Sequence, residues 1–322
     1  MGHVMALDLI TVGRISVDLY AQEAYQSFAD PQTFRKSIGG SPTNVAVAAA
    51  RLGLAAAVAT KVGSDLLAPY VLGKLTSFGV DTEFVGIEPG GQTPVVLASL
   101  DPPEDPSIIF FRGAAAPDTN ILASDISPAT IQEVKALWIS ACALATGQTA
   151  AACFNWLDQR ARKTHTLIDL DYRPSLWSDV ARARAAAQRA IALSTVVVGN
   201  IAECDMAIGE TDPLAIADNL LNRGVTLACI KMGGGGVLLA SATERVRVEP
   251  LRIQLVCGLG AGDAFGGALV YGLLNGLSLL AMGELANGAG AYVASRLMCA
   301  DSMPQLEALT DFISVHRKGS NT

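Results

Sequence analysis

The segment from Gly258 to Phe265 reads Gly-Leu-Gly-Ala-Gly-Asp-Ala-Phe and directly precedes a long helical pattern. Small residues let backbone amides approach an anion closely, and amides at a helix N-terminus stabilise phosphate charge. Asp263 would lie in the first helical turn beside those amides, where a carboxylate can accept a proton from an attacking hydroxyl. The segment predicts either a phosphoryl-transfer site or an ordinary glycine-rich turn in which Asp263 favours the helix start.

A second segment, Gly39 to Asn44, reads Gly-Gly-Ser-Pro-Thr-Asn and could bind a polyol. The amide of Asn44 both donates and accepts hydrogen bonds, as a sugar hydroxyl requires. The structural alternative is simple helix capping, with Ser41 as the cap and Pro42 at the first helical position.

Two further segments could serve a nucleotide. Lys231 and Met232 precede four glycines, which would allow a nucleotide to approach the backbone closely, although a turn before the next strand explains them equally well. Asn200 and Glu203, three residues apart after a strand pattern, could share a hydrated Mg²⁺. Their structural alternative is a helix N-cap with its capping-box partner.

Composition excludes several classes of protein. The 322 residues are 51% hydrophobic and 16% charged, so a disordered chain is excluded and a large core is expected. The net charge of −7 argues against a nucleic-acid partner. The sequence contains neither a P-loop motif nor a dinucleotide-binding G-x-G-x-x-G after its first strand.

Cysteine usage and hydropathy bear on the compartment. Six cysteines are scattered without a C-x-x-C pair, which predicts free thiols in a reducing, cytoplasmic setting and argues against structural zinc. The first 30 residues do not resemble a signal peptide. Residues 136–157 and 264–283 lack formal charge but are too polar or too rich in glycine to span a bilayer, so no membrane partner is expected. We interpret 264–283 as the helix that follows Asp263.

Strand and helix patterns alternate along most of the chain, for example strand 7–12, helix 42–52 and strand 56–62. This alternation predicts a doubly wound α/β fold with a mostly parallel sheet flanked by helices, in which ligands bind at the carboxyl ends of the strands. Two regions break the pattern and predict a small β-sheet lid. The expected boundaries are a core of 1–13, 39–91 and 114–322, and a lid of 14–38 and 92–113.

Taken together, these motifs resemble the ribokinase-like (PfkB) family of carbohydrate kinases. The N-terminal signature is matched by GGSPTNVAVAAARLG from Gly39 to Gly53, the C-terminal one by GAGDAF from Gly260 to Phe265, and N-x-x-E by Asn200 to Glu203. The resemblance runs from Leu7 to about Ile313. It implies ATP-dependent phosphorylation of a sugar with Mg²⁺ as cofactor.

The resemblance also implies functions for individual residues. Asp263 is the catalytic base, and the backbone amides of Gly260, Ala261 and Gly262 form the anion hole. Asp18, Gly40 and Asn44 match positions that bind sugar hydroxyls. On the nucleotide side, the matching residues are Asn200, Glu203 (which places Mg²⁺ through water), Lys231, Gly233, Gly235 and, near the adenine, Asn287.

In the family the lid often serves dimerisation, so the resemblance also implies a homodimer through the lid. One departure concerns the residues before the second signature. Many members have Asp-Thr where this chain has Cys257-Gly258, and the usual acidic residue is associated with a monovalent cation. This departure makes potassium activation doubtful.

Within the family, residues 13–20, 169–177 and 257–260 resemble kinases of 5-dehydro-2-deoxygluconate, a keto sugar acid of inositol breakdown. The substrate carboxylate calls for a guanidinium, which can bind it through two hydrogen bonds. Arg14, Arg112 and Arg173 are the candidates, and each could instead form a structural ion pair. A 2-keto-3-deoxygluconate kinase, another sugar or nucleoside kinase, and a sugar-binding regulator that lacks activity remain alternatives.

Overall fold

Strands and helices alternate along the chain in the computed structural model, which describes residues 7–113 and 115–318. In chain order the strands are β1 (Leu9–Val12), β2 (Ser16–Ala24), β3 (Phe34–Gly39), β4 (Ala56–Gly63), β5 (Val85–Glu88), β6 (Val95–Leu100), β7 (Ser107–Phe111), β8 (Ala136–Ser140), β9 (Thr166–Asp169), β10 (Val196–Asn200), β11 (Leu227–Lys231), β12 (Val237–Ala240) and β13 (Arg245–Val248). The α-helices are α1 (Ser41–Arg51), α2 (Ala68–Ser77), α3 (Pro128–Glu133), α4 (Gly147–Arg160), α5 (Val180–Leu193), α6 (Ile201–Ile208), α7 (Pro213–Asn222), α8 (Ala261–Leu274), α9 (Leu279–Ala294) and α10 (Leu306–Lys318).

The main sheet has nine strands in the order β13-β12-β11-β10-β9-β8-β1-β4-β5. Strands β11 to β5 in this order pair in parallel, whereas β12 and β13 pair antiparallel at one edge. Helices must therefore connect most neighbours by crossovers, which covers both faces of the sheet. The predicted doubly wound α/β fold is confirmed.

Side-chain alternation along the central strands builds a core on each face of the sheet. On β8, Trp138 packs on the face covered by α1, α8 and α9, whereas Leu137 and Ile139 pack on the face covered by α4, α5 and α7. Trp138 is completely buried. Because successive residues of a strand point to opposite faces, a strand buried on both faces must be apolar throughout.

A separate four-stranded sheet, in the order β3-β2-β6-β7, forms the lid. Its hairpin β6–β7 turns at residues 101–106, as the sequence predicts. Ile108 and Phe110 point toward the main sheet and line the space between the two sheets. Ile109 and Phe111 alternate with them and are exposed. The expected homodimer through the lid stays a prediction, and these outward apolar side chains favour it.

Two local expectations are wrong. Helix α1 begins at Ser41 with Gly40 at the N-cap and has no side-chain cap, so Ser41 is not the capping residue. Residues 264–283 form not one helix but the body of α8, a turn, and the start of α9. Gly276 in this turn has a φ of 64°, a left-handed conformation that ends a helix.

The remaining expectations on cysteines and membranes can be compared with the part of the chain that the structure describes. All six cysteines are buried and free, as predicted. Within residues 7–113 and 115–318, we find no helix with the length and apolar character that a bilayer crossing would need.

Candidate active site

A cleft opens where the carboxyl ends of the parallel strands meet the inner face of the lid. Asn44, in the first turn of α1, and Asp263, in the first turn of α8, line its core side. Ile108 and Phe110 line it from the lid. The cleft therefore lies where ligands bind in open parallel sheets.

The N-terminus of α8 is shaped for an anion. Gly260 is its N-cap with a φ of 80°, and no side chain caps the helix. A Cβ atom on Gly260 would lie 2.6 Å from Sγ of Cys299, so only glycine avoids both that overlap and left-handed strain. The first N–H groups of a helix have no partner within it. The predicted anion hole of Gly260, Ala261 and Gly262 therefore presents donors and a favourable dipole to the cleft.

Asp263 has the properties of a proton acceptor. Nδ2 of Asn44 donates a hydrogen bond to Oδ2 of Asp263 at 2.8 Å. Desolvation in the cleft raises the pKa of Asp263 to about 6, against the opposing effect of Asn44. The hydroxyl of Ser41 lies close enough to favour the charged form of Asp263, although its geometry falls short of a hydrogen bond. A carboxylate with this pKa is ionised at neutral pH and still basic enough to receive a proton.

The end of the cleft next to the lid contains a second buried carboxylate, Asp18, which is 8% exposed. Its Oδ1 accepts from Oγ of Ser16 at 2.5 Å, and its Oδ2 accepts from the hydroxyl of Tyr20 at 3.0 Å. Desolvation raises the pKa of Asp18 to about 6 in spite of these bonds. Among the described residues, Oδ1 of Asn44 is buried without a partner. Asp18 and Asn44 thus offer acceptors to hydroxyl groups.

The three candidate arginines differ in their partners. Arg112 forms an ion pair with the buried Asp118 at 2.5 Å, and Arg173 forms one with Asp171 at 3.0 Å. Nε of Arg14 donates to Sγ of Cys142 at 3.4 Å, and its guanidinium lies 5.6 Å from the ring centre of Phe110.

No carboxylate oxygen of the described residues lies within 4.0 Å of the Arg14 guanidinium, although Asp118 and Asp171 act on it from farther away. Arg14 is therefore the candidate whose charge is least neutralised by a direct partner.

Next to the N-terminus of α8, Lys231 lies among carboxylates at the ends of the neighbouring strands. Its Nζ is 3.5 Å from Oδ1 of Asp169 and 3.9 Å from Oε2 of Glu203. Burial disfavours the charged ammonium, but these two carboxylates outweigh it and raise the pKa of Lys231. A Cβ on Gly262 would lie 3.3 Å from this Nζ, so the ammonium also borders the anion hole.

Asn200 and Glu203 form the capping box that was the structural alternative. The N–H of Asn200 donates to Oε2 of Glu203 at 2.7 Å, and the N–H of Glu203 donates to Oδ1 of Asn200 at 2.9 Å. Gly233 and Gly235 form a short 3-10 turn after β11, and Gly233 is exposed. Nδ2 of Asn287, on α9, donates to the carbonyl of Glu249 at 3.0 Å.

Sequence reasoning missed several polar residues of the cleft. Asp169 ends β9 and Asp171 follows it, so the rule that sites form at strand ends could have found both. Oγ of Ser140 donates to Oδ2 of Asp171 at 2.8 Å. Asp118 lies in no motif, and the contact of Tyr20 with Cys299 joins residues 279 positions apart, which no local pattern shows.

A doubly wound sheet with a carboxylate beside the unpaired amides of a helix N-terminus is an arrangement suited to phosphoryl transfer to an alcohol. The model of the pfkB family of carbohydrate kinases matches residues 5–306. The chain belongs to this family.

Similar proteins share both the fold and the length of this chain. A 5-dehydro-2-deoxygluconokinase from Bacillus anthracis is 31% identical over 315 residues, which cover 95% of this chain and 94% of that protein. The structure of a fructokinase from Vibrio cholerae O395 with fructose, ADP and calcium is 25% identical, with a TM-score of 0.82 over 96% of this chain and 99% of that one. A candidate ribokinase II from E. coli in complex with ATP and Mg²⁺ is 22% identical, with a TM-score of 0.87 over 96% of this chain and 100% of that one.

Proposed function

We propose that this kinase uses ATP to phosphorylate the 6-hydroxyl of 5-dehydro-2-deoxygluconate in inositol catabolism. The observation that carries the proposal is Arg14, a guanidinium at the sugar end of the cleft with no carboxylate within 4.0 Å among the described residues. A guanidinium without a direct ionic partner can bind the carboxylate of a sugar acid through two parallel hydrogen bonds. The names of the curated relatives support the same substrate.

The side chains of the cleft suit each step of the transfer. Asp18 and Asn44 bind sugar hydroxyls and direct the primary hydroxyl to Asp263, which accepts its proton as the oxygen attacks the γ-phosphate. The amides of Gly260, Ala261 and Gly262 stabilise the charge of the phosphoryl group in transit. The apolar lid side chains Ile108 and Phe110 exclude water, which would otherwise compete with the sugar.

The nucleotide end fits a hydrated Mg²⁺. Oδ1 of Asp169 is buried and lies 3.5 Å from Nζ of Lys231, but it accepts no hydrogen bond from any described residue, so it can still accept one from a water bound to the metal. Asp169 and Glu203 would hold the ion through water, consistent with the preference of Mg²⁺ for oxygen ligands and its retention of waters. When bound, Mg²⁺ neutralises charge on the phosphates. Lys231, Gly233 and Gly235 line the ATP phosphates, and Asn200 orients Glu203.

Asn287 lies on α9 at the adenine end of the proposed nucleotide site. The proposed function does not include activation by potassium, because neither Cys257 nor Gly258 has a carboxylate.

The substrate is tested with a panel of acceptors, ATP and Mg²⁺, in wild type and Arg14→Gln. We expect the wild type to prefer 5-dehydro-2-deoxygluconate over 2-keto-3-deoxygluconate, fructose and ribose. Loss of a buried charge partner costs about 2–5 kcal/mol, so Arg14→Gln should lower kcat/KM for the sugar acid by roughly two orders of magnitude. The KM for ATP should not change.

Arg51→Gln is the matched control for Arg14→Gln. Nε of Arg51 also donates one hydrogen bond, to the carbonyl of Met303 at 3.2 Å, and its guanidinium lies 5.9 Å from the ring centre of Phe78. Arg51 is remote from the cleft, so the kinetics of Arg51→Gln should match those of wild type. A wild-type preference for a neutral sugar would contradict the proposed substrate. If no acceptor of the panel supports the release of ADP, a sugar-binding regulator without activity would be favoured.

The acid side of the pH profile provides a further prediction. Because desolvation raises the pKa values of Asp18 and Asp263 to about 6, both carboxylates take up protons as pH falls through 6. Once protonated, Asp263 cannot accept the proton of the sugar hydroxyl, and Asp18 accepts hydrogen bonds from sugar hydroxyls less well. The value of kcat/KM for the sugar should therefore fall below about pH 6. The charges of Asp18 and Asp263 interact, so the pKa observed on the acid side of the profile belongs to the two carboxylates together. Constant kcat/KM from pH 7 to pH 5 would contradict this expectation.

A further inference from the structure

Tyr20 of lid strand β2 connects the sugar end of the cleft with the start of α8. Its hydroxyl lies 3.0 Å from Oδ2 of Asp18 and 2.9 Å from Sγ of Cys299. Tyr20 is 1% exposed and Cys299 is 3% exposed, so no bulk water competes for these contacts. The three side chains form a buried chain of hydrogen bonds between elements remote in sequence.

Chemistry assigns a direction to this chain. A phenol carries one proton and a carboxylate only accepts, so the hydroxyl of Tyr20 donates to Asp18. The same hydroxyl also donates toward Sγ of Cys299 at 2.9 Å, so its one proton is shared between the two acceptors. Burial raises the pKa of Cys299 well above its ordinary value, so Cys299 is a neutral thiol at neutral pH and its sulfur is a weak acceptor.

Two glycines make room for Asp18 and Cys299, the two ends of this chain of hydrogen bonds. A Cβ on Gly39 would lie 1.9 Å from Oδ2 of Asp18, and a Cβ on Gly260 would lie 2.6 Å from Sγ of Cys299. Asp18 is thereby seated against the loop before α1, and Cys299 is seated against the N-cap of the anion-binding helix. A shift of Tyr20 would disturb the contacts of its hydroxyl with both Asp18 and Cys299.

We propose that Tyr20 is a positioning residue that holds Asp18 in its sugar-binding orientation, and that Cys299 fixes Tyr20 to the N-cap of α8. The proposal deepens the proposed function and rests on it, since it takes Asp18 as a ligand of the sugar hydroxyls. It makes the lid strand β2 the link that aligns the acceptor sugar with the anion hole.

The groups around these three side chains determine how the pKa of Asp18 should respond to the loss of the Tyr20 hydroxyl. Those that act on Asp18 are Ser16, Tyr20, Asp263 and Arg14, and those that act on Tyr20 are Cys299, Asp18 and Cys257. Ser16, Tyr20 and Arg14 favour the charged form of Asp18, whereas burial and Asp263 disfavour it. Removal of the Tyr20 hydroxyl therefore moves the pKa of Asp18 upward.

The test compares Tyr20→Phe with wild type, using ATP, Mg²⁺ and 5-dehydro-2-deoxygluconate between pH 5 and pH 8. We expect the KM for the sugar to rise about tenfold, the worth of one hydrogen bond to a charged group. The KM for ATP should not change, and the acid limb of kcat/KM should move to higher pH.

Tyr70→Phe is the matched control for Tyr20→Phe. The hydroxyl of Tyr70 donates to the carbonyl of Lys36 in the lid strand β3 at 3.2 Å, away from the cleft. This variant should keep wild-type kinetics. Cys299→Ala should change the KM for the sugar in the same direction as Tyr20→Phe but less, because a thiol sulfur is a weak acceptor, and Cys299→Ser should restore it.

A readout independent of turnover separates this inference from the proposed function. In protein labelled with ¹³C at aspartate carboxyls, the titration of Asp18, assigned with Asp18→Asn, should move to higher pH in Tyr20→Phe. An unchanged titration, or an equal change in the KM values for ATP and sugar, would overturn the inference. Absence of wild-type turnover on any sugar acid would instead contradict the proposed function and leave the titration as the test of the hydrogen-bond chain.

Discussion

Replacement of Asp263 by asparagine is expected to lower kcat by about 10²–10⁴-fold, the contribution of a positioned general base. Asparagine keeps the shape of the side chain and can still accept the hydrogen bond from Nδ2 of Asn44, but it cannot take the proton of the sugar hydroxyl. The KM values for ATP and sugar should change much less than kcat. Single-turnover and steady-state measurements of ADP release would determine the loss.

Stability provides the control for Asp263→Asn. The folded-state pKa of Asp263 is raised to about 6 from 3.8, so its ionisation above that range opposes folding. The neutral amide removes this cost at neutral pH, and the melting temperature should therefore not fall below that of wild type. Retained kcat in a folded Asp263→Asn protein would exclude Asp263 as the base.

The second large effect is expected for Gly260→Ala. The added Cβ would lie 2.6 Å from Sγ and 2.7 Å from Cβ of Cys299, and a φ of 80° is strained for alanine. The N-terminus of α8 must then move, which misplaces the amides that stabilise the phosphoryl group. Removal of one such donor elsewhere costs about 10²–10³-fold in kcat, and we expect a loss of this order.

Gly276→Ala separates backbone strain from the loss of the anion hole. Gly276 lies just after α8 with a φ of 64°, and apart from Gly276 and its two chain neighbours no heavy atom of the described residues lies within 4 Å of the position that an added Cβ would take. This variant should lose about 1 kcal/mol of unfolding free energy and keep its kcat. Equal kcat in Gly260→Ala and Gly276→Ala would contradict the proposed anion hole.

Local patterns were sufficient to predict the architecture. Alternating strands and helices, with helix stops at glycine, predicted a doubly wound sheet, because the hydrophobic periodicity of an element depends only on nearby residues. A lid of residues 14–38 and 92–113 was predicted for the same reason; the structure contains a separate four-stranded sheet, and these boundaries stay a prediction. The break inside 264–283 was missed because Asn275 and Gly276 lie within an otherwise apolar run.

The predicted site consists largely of residues whose chemistry lies in short motifs, and their roles stay predictions. Asp263 and the glycines around it are close in sequence, and their proximity to a helix start follows from the motif alone. Asn200 and Glu203 were predicted equally well as a capping box, which the structure contains. The raised pKa of Asp263 comes from desolvation in the folded cleft, and its hydrogen bond from Asn44 joins residues 219 positions apart, so neither could be predicted from the motif.

By itself, the sequence determined the fold class, the lid and the helix N-terminus that can receive phosphate, since each depends on residues that are neighbours along the chain. Only the tertiary structure decided which charges are already neutralised. Arg14, Arg112 and Arg173 are equivalent in a sequence, but Asp118 pairs with Arg112 and Asp171 pairs with Arg173. Because the strength of an ionic interaction depends on distance and burial rather than on residue type, Arg14 could be singled out only once the chain was folded.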